Sequence, residues 1–154
     1  MNDVDVIIAI DDARQADVRN LLEEANGYLR SLYPSQNNHP IDANALSAPG
    51  VILLTARSGG TLLGSIAYRL VGHGHAEIKR LFVSECARAT GLGRRLLIAL
   101  ESEARRRGID RLSLEAGIRQ PAAIRLYQSS GYEPFEPFGE NKPDPLSLFM
   151  TKRL

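Results

Sequence analysis

Apolar and polar positions along the chain fall into two rhythms. Short runs rich in Ile, Leu, Val and Phe occupy residues 4–10, 51–56, 61–71, 76–83, 111–116, 132–138 and 146–154. Runs of that length and composition predict strands. Between them the apolar residues recur every three or four positions, the spacing of one helix face. Leu21, Leu22, Ala25, Leu29 and Leu32 share a face of a helix expected over 13–32. Leu92, Leu96, Leu100 and Ala104 do so over 92–107, and Ala123, Ile124 and Tyr127 over 120–130.

Boundary residues sharpen these elements. Asp12-Ala-Arg-Gln15 has capping-box spacing before the first helix. Gly27 inside that helix costs about 1 kcal/mol against Ala and predicts a kink or break. Pro121 suits the first turn of the last helix, and Gly131 suits its C-terminal cap. Asp42 would cap a short helix over 42–47, within a segment punctuated by Pro34, Pro40 and Pro49. Tight turns at Ser58-Gly59-Gly60 and Gly72-His73-Gly74-His75 join three strands into an antiparallel meander. The strand at 111–116 joins that at 76–83 by a right-handed crossover if the two run parallel. Pro134 and Pro137 make the run at 132–138 an edge or irregular strand. On the helix at 92–107, Glu101–Arg105 and Glu103–Arg107 have the spacing of surface ion pairs.

Composition narrows the class. With 154 residues the chain is expected to form one domain, 1–154. A domain of this size buries about 68–70% of its unfolded surface, so it needs no staples. A net charge of +1 gives no basic field for nucleic acid. No apolar run approaches the ~20 residues of a membrane span, and the first residues lack the basic start of a signal peptide. A cytoplasmic protein is the expectation. The single cysteine, Cys86, excludes an internal disulfide framework and has no evident histidine beside it to make it a nucleophile. His39, His73 and His75 lack the further ligands a metal site needs, so no metal is expected.

The candidate chemistry lies at 76–94, AEIKRLFVSECARATGLGR: a strand, a glycine turn and the start of a helix. Such a layout suits a diphosphate, because glycines bring backbone N–H groups close and the helix start adds partial positive charge. The turn by itself also suits an ordinary strand–helix connection. It lacks the Gly-Lys-Ser/Thr of a P-loop and the third glycine of a dinucleotide fingerprint. Arg88-x-x-Gly91-x-Gly93 does resemble the R/Q-x-x-G-x-G/A signature of the GCN5-related N-acetyltransferase (GNAT) superfamily. Glu77-Ile-Lys-Arg-Leu-Phe-Val83 looks like that family's central strand, and Leu112-Ser-Leu-Glu-Ala-Gly117 like the next. Gln120-Pro-Ala-Ala-Ile-Arg-Leu-Tyr127-Gln-Ser-Ser-Gly131-Tyr132 resembles its N-x-x-A-x-x-x-Y-x-x-x-G-F/Y helix, with Gln for Asn. The ending Asp144-Pro145-Leu-Ser147-Leu-Phe-Met150 is similar to a small bacterial subgroup. The likeness covers nearly the whole chain and is most specific over 77–132.

The resemblance implies an α/β fold of α+β type. Its central sheet would be mixed, mostly antiparallel and of six to seven strands, with helices on both faces and splayed central strands. It implies acetyl-CoA as cofactor and acetyl transfer to the primary amine of a small molecule, an amino acid or related metabolite, by direct attack in a ternary complex. A non-catalytic acyl-CoA-binding or sensing module on the same fold is the alternative. Cofactor contacts carry over to Leu81, Phe82 and Val83, to the turn Arg88, Ala89, Thr90, Gly91, Leu92, Gly93 and Arg94, and to Gln120 and Tyr127. A Cβ at Gly93 is expected to push the phosphates away. Tyr127 is the candidate general acid, since a phenol near pKa 10 can protonate a departing thiolate. Glu77 is a candidate base or a partner for Lys79; Glu115 is the second candidate, and water a third. Tyr28, Arg30, Tyr33, Asn38 and His39 are candidate acceptor contacts, Arg30 hinting at an anionic group. Exposed final strands are compatible with a homodimer.

Overall fold

The computed structural model describes residues 5–33 and 43–154. Asn38, His39 and the cap expected at Asp42 lie outside the described residues. The strands are β1 (Val6–Ile10), β2 (Val51–Ser58), β3 (Thr61–Gly72), β4 (His75–Val83), β5 (Arg111–Gly117), β6 (Glu133–Pro134) and β7 (Ser147–Arg153). The α-helices are α1 (Ala16–Leu32), α2 (Ala43–Leu46), α3 (Leu92–Arg106) and α4 (Pro121–Ser129). The strands form one sheet in the order β1-β2-β3-β4-β5-β7-β6. Every pairing is antiparallel except that of β4 with β5. Among the described residues, no helix is long and apolar enough to cross a membrane.

Period-two alternation puts helices on both faces. Leu53 of β2 and Ala67 of β3 pack with Val18, Leu22 and Leu46 from α1 and α2. Leu54 and Ile66, one residue along, face the opposite way onto Leu96, Leu97 and Leu100 of α3. On β4 and β5, Ala76, Ile78, Leu112 and Leu114 join this larger core. Glu77, Ser113 and Glu115 therefore project to the α1 side.

Several elements differ from their sequence expectation for identifiable reasons. Helix α1 starts at Ala16 rather than 13, because Asp11 is tied down by β2. Its carboxylate accepts from Thr55 Oγ1 at 2.6 Å and Arg57 Nη2 at 3.0 Å. Gln15 donates to the same carboxylate at 2.6 Å instead of completing a capping box. The helix runs unbroken through Gly27, whose neighbours Ala25 and Asn26 are buried. The expected strand at 132–138 shrinks to Glu133–Pro134, paired with Thr151 and Met150. Its prolines lack N–H groups, and Phe138 folds back onto Phe149 and His75. Glu103 does hold Arg107, at 2.7 Å. Glu101 is not a surface partner of Arg105: it is buried, accepting from Tyr132 Oη at 2.8 Å and ion-paired with Lys152 at 3.1 Å. The final strand is no edge, since β7 lies between β5 and β6.

The feature that makes a site is the parting of β4 from β5. The two pair only at His75↔Arg111, Ala76↔Leu112 and Glu77↔Ser113. On the other side of β4, Ser65 pairs with Phe82 while Ala67 pairs with Lys79, so β4 carries one extra residue. Arg80 sits in this bulge at φ 57, its carbonyl accepting from Ser65 Oγ at 3.0 Å. A bulge bends and twists its strand. Here it turns the second half of β4 away from β5.

Candidate active site

The parted strands leave a cavity of about 200 Å³. Its walls are the bulged half of β4, the end of β5, the last turns of α1, the start of α4 and the residues leading into β7. It joins the two faces of the sheet, because Tyr127 of α4 belongs to the α3-side core and Glu115 projects to the other face.

Beyond Val83 the chain makes a short 3-10 turn, Glu85–Ala87, and then the glycine turn. Ala89 at φ 61 and Gly91 at φ 82 are left-handed, so the backbone reverses twice before α3 begins. Alternation of this kind gathers N–H groups into a concave nest that suits an anion. No side chain caps the first turn of α3, which leaves its N–H groups available. Gly91 has open space around its Cα, and its left-handed φ is what favours glycine there. Gly93 meets neighbouring protein as well. A Cβ there would lie 3.3 Å from Leu126 and 4.0 Å from Val83, so this glycine lets α3 seat against α4 and β4.

The arginines of the turn are engaged with protein. Arg88 Nε donates to the Val83 carbonyl at 3.1 Å, and its guanidinium lies over both Tyr28 and Phe82, 5.6 Å from each ring. Arg94 donates to Ser129 Oγ at 2.6 Å and Ser130 Oγ at 3.2 Å, tying α3 to the end of α4.

Tyr127 is buried against Tyr132, their rings 5.6 Å apart and edge-to-face. It also lines the cavity, beside Ala123 and Gln120. Burial pushes its phenol above the ordinary tyrosine range. Leu81 and Phe82 line the cavity from β4.

The two carboxylates expected as bases both reach the cavity, in different states. Glu77 is fully buried with both oxygens engaged. Arg69 Nη2 donates to Oε1 at 2.9 Å, while Lys79 Nζ at 3.2 Å and Asn141 Nδ2 at 3.2 Å meet Oε2. Glu115 is half-buried and accepts from Ser147 Oγ at 2.5 Å. Arg80 lines the β4 wall, and burial pulls its guanidinium down to about 10.

Of the acceptor contacts expected, Tyr28 and Tyr33 line the cavity. Arg30 does not: it is exposed and pairs with Glu23 at 2.8 Å on the outer face of α1. Sequence reasoning missed Lys79, Arg80, Asp144 and Ser147, all of which line the cavity. Period two along Glu77-Ile-Lys79 was a usable signal for Lys79. The inward turn of Arg80 depends on the bulge, which no local pattern announces.

Comparison with known proteins agrees with this geometry. Residues 16–132 match the model of the "Acetyltransferase (GNAT) family". A protein named IAA acetyltransferase from Azospirillum brasilense is 44% identical over 151 residues, covering 97% of this chain and 98% of that one. A solved structure named as an acyl-CoA N-acyltransferase, from Klebsiella pneumoniae, is 35% identical with a TM-score of 0.82, covering 97% of each chain. The PaiA N-acetyltransferase of Thermoplasma acidophilum, solved in complex with coenzyme A, is 17% identical over 96% of this chain and 99% of that one. Its TM-score of 0.74 shows a shared fold. The chain belongs to the GNAT acetyltransferase family, whose cofactor is acetyl-CoA. The residues present fit that cofactor: an open nest and uncapped helix start for a diphosphate, and an unfinished β4 ladder beside it.

Proposed function

We propose that this GNAT acetyltransferase acetylates the primary amine of a small molecule, an amino acid or related metabolite, in a ternary complex. One observation carries the reading. The parting of β4 and β5 brings a buried phenol, Tyr127, and a half-buried carboxylate, Glu115, to one small cavity next to an anion nest. The nest and the first turn of α3 would hold the diphosphate, and the open half of β4, Leu81 to Val83, the pantetheine arm. When bound, acetyl-CoA supplies the activated acetyl group.

Glu115, directly or through a water, takes the proton of the entering ammonium. Glu77 is not assigned this role, because accepting a proton would displace Arg69, Lys79 or Asn141. A β4 N–H near Leu81 would polarise the thioester carbonyl toward the neutral amine. Tyr127 would give its proton to the leaving sulfur, and the second proton that the nitrogen sheds as the amide forms would restore the phenol. Lys79 and Arg80 of β4, Glu115 of β5 and Asp144 all line the cavity.

Replacing Tyr127 by Phe is expected to lower kcat ~10²–10⁴-fold while leaving the acetyl-CoA Kd within twofold, read by steady-state kinetics and calorimetry. The raised phenol also keeps its proton through alkaline pH, so the falling limb of kcat lies above the ordinary value of 10. An unchanged rate in Tyr127→Phe removes this residue from the mechanism. Acetyl-CoA binding without turnover across a wide amine panel would leave a non-catalytic acyl-CoA-binding module instead.

A further inference from the structure

The end of α1 reaches across the cavity to the turn between β5 and α4. Tyr33, which follows the last residue of α1, accepts the backbone N–H of Arg119 on its phenol oxygen at 3.0 Å. Arg119 returns the contact: Nη1 donates to the Leu32 carbonyl at 2.5 Å, and its guanidinium lies 5.6 Å from the Tyr33 ring centre. The phenol passes directly over Gly117, where a Cβ would lie 1.8 Å from Tyr33 Oη and 2.4 Å from Cζ. No side chain larger than hydrogen fits there with Tyr33 in place.

Tyr33, Gly117 and Gln120 all line the cavity, and Gln120 opens the helix that carries Tyr127. The cavity, about 200 Å³, is smaller than the ~300–1,000 Å³ of typical ligand pockets. We infer that Tyr33 is a specificity-determining residue: clasped over Gly117 and held by Arg119, it closes the acceptor side of the cavity and limits the enzyme to small amines. The inference rests on the acceptor reading of this cavity given above. It accounts for a glycine at 117, where a strand gives way to a turn at an ordinary φ, and for a tyrosine at the exit of α1.

A double-mutant cycle tests it, with Gly117→Ala introduced into wild type and into Tyr33→Leu. The probes are ethanolamine and tryptamine as small and large amines, with acetyl-CoA affinity and Tm measured alongside. In wild type, Gly117→Ala is expected to lower kcat/KM for ethanolamine about tenfold through KM and to lower Tm, with acetyl-CoA Kd within twofold. In Tyr33→Leu the same change is expected to have no further effect on either. Tyr33→Leu alone is expected to raise the tryptamine-to-ethanolamine ratio of kcat/KM about tenfold. Equal losses in both backgrounds would overturn the clasp, and an unchanged ratio would overturn its role in specificity. If wild type acetylates neither amine, the small and large probes are taken from a wide amine panel; if it acetylates none of them, the Tm cycle still reads the clasp, while the acceptor reading and the specificity role built on it fail.

Discussion

On the α3 side of the parted sheet the chain offers a ligand its backbone; on the α1 side it offers side chains. The nest at 88–93 is made by two left-handed residues and an uncapped helix start, while Arg88 and Arg94 are spent on contacts within the protein. The proposed acceptor side is lined by Glu77, Lys79, Arg80, Glu115 and Tyr33, from β4, β5 and the end of α1. A backbone site suits a ligand common to a whole family, because it constrains few residue types. A side-chain site can be redrawn by single substitutions, which suits an acceptor that differs between relatives.

Substitutions on the two sides should therefore fail in different ways. The largest effect outside Tyr127 is expected at Glu77. Glu77→Leu leaves Arg69 and Lys79 facing a buried apolar side chain. It should cost about 3 kcal/mol of stability in a denaturant titration, at the lower end for a broken buried pair because Arg69 keeps contact with water. A loss below about 1 kcal/mol would mean that the ion pairs are dispensable. Next comes Glu115→Gln, expected to lower kcat about tenfold or more with Tm little changed. If Glu115→Gln lowered Tm and spared kcat, the two carboxylates would have to exchange roles.

The smaller effects test the backbone side. Gly91→Val forces a β-branched residue to φ 82, at about 1–2 kcal/mol or more, and should weaken acetyl-CoA about tenfold by calorimetry. Arg88→Ala is expected to change that affinity less than threefold, since its side chain serves Tyr28, Phe82 and Val83. A loss in Arg88→Ala as large as that in Gly91→Val would erase the contrast between the two sides.

The same contrast explains what was legible in the sequence. Strand–turn–helix order and the spacing of Gly91 and Gly93 are local, so the nest could be read from adjacent residues. The packing of Gly93 could not, because Leu126 meets it only when α4 is in place. Tyr127 was readable through its distance from Gly131. Arg30 came from the family resemblance and not from its place on the helix, where it pairs with Glu23, seven residues back on the outer face. Gly117 passed unnoticed because its reason, Tyr33, is far away in sequence. Glu101 looked like a surface residue by i,i+4 spacing, yet Lys152 and Tyr132 draw it inward.

The position of β7 has a bearing on how the molecule is built. It is made after both of its neighbours, yet it lies between them. Until residues 147–153 are in place, β5 shows an open edge and β6 has nothing to pair with. An unpaired edge is a template for other chains, so the span between synthesis of β5 and arrival of β7 is when a nascent molecule is most exposed to aggregation. Lys152 arrives with that strand and closes on Glu101, which holds the hydroxyl of Tyr132, the ring packed against Tyr127. The support for the phenol is thus completed only when β7 has been synthesised, after the helix that carries the phenol.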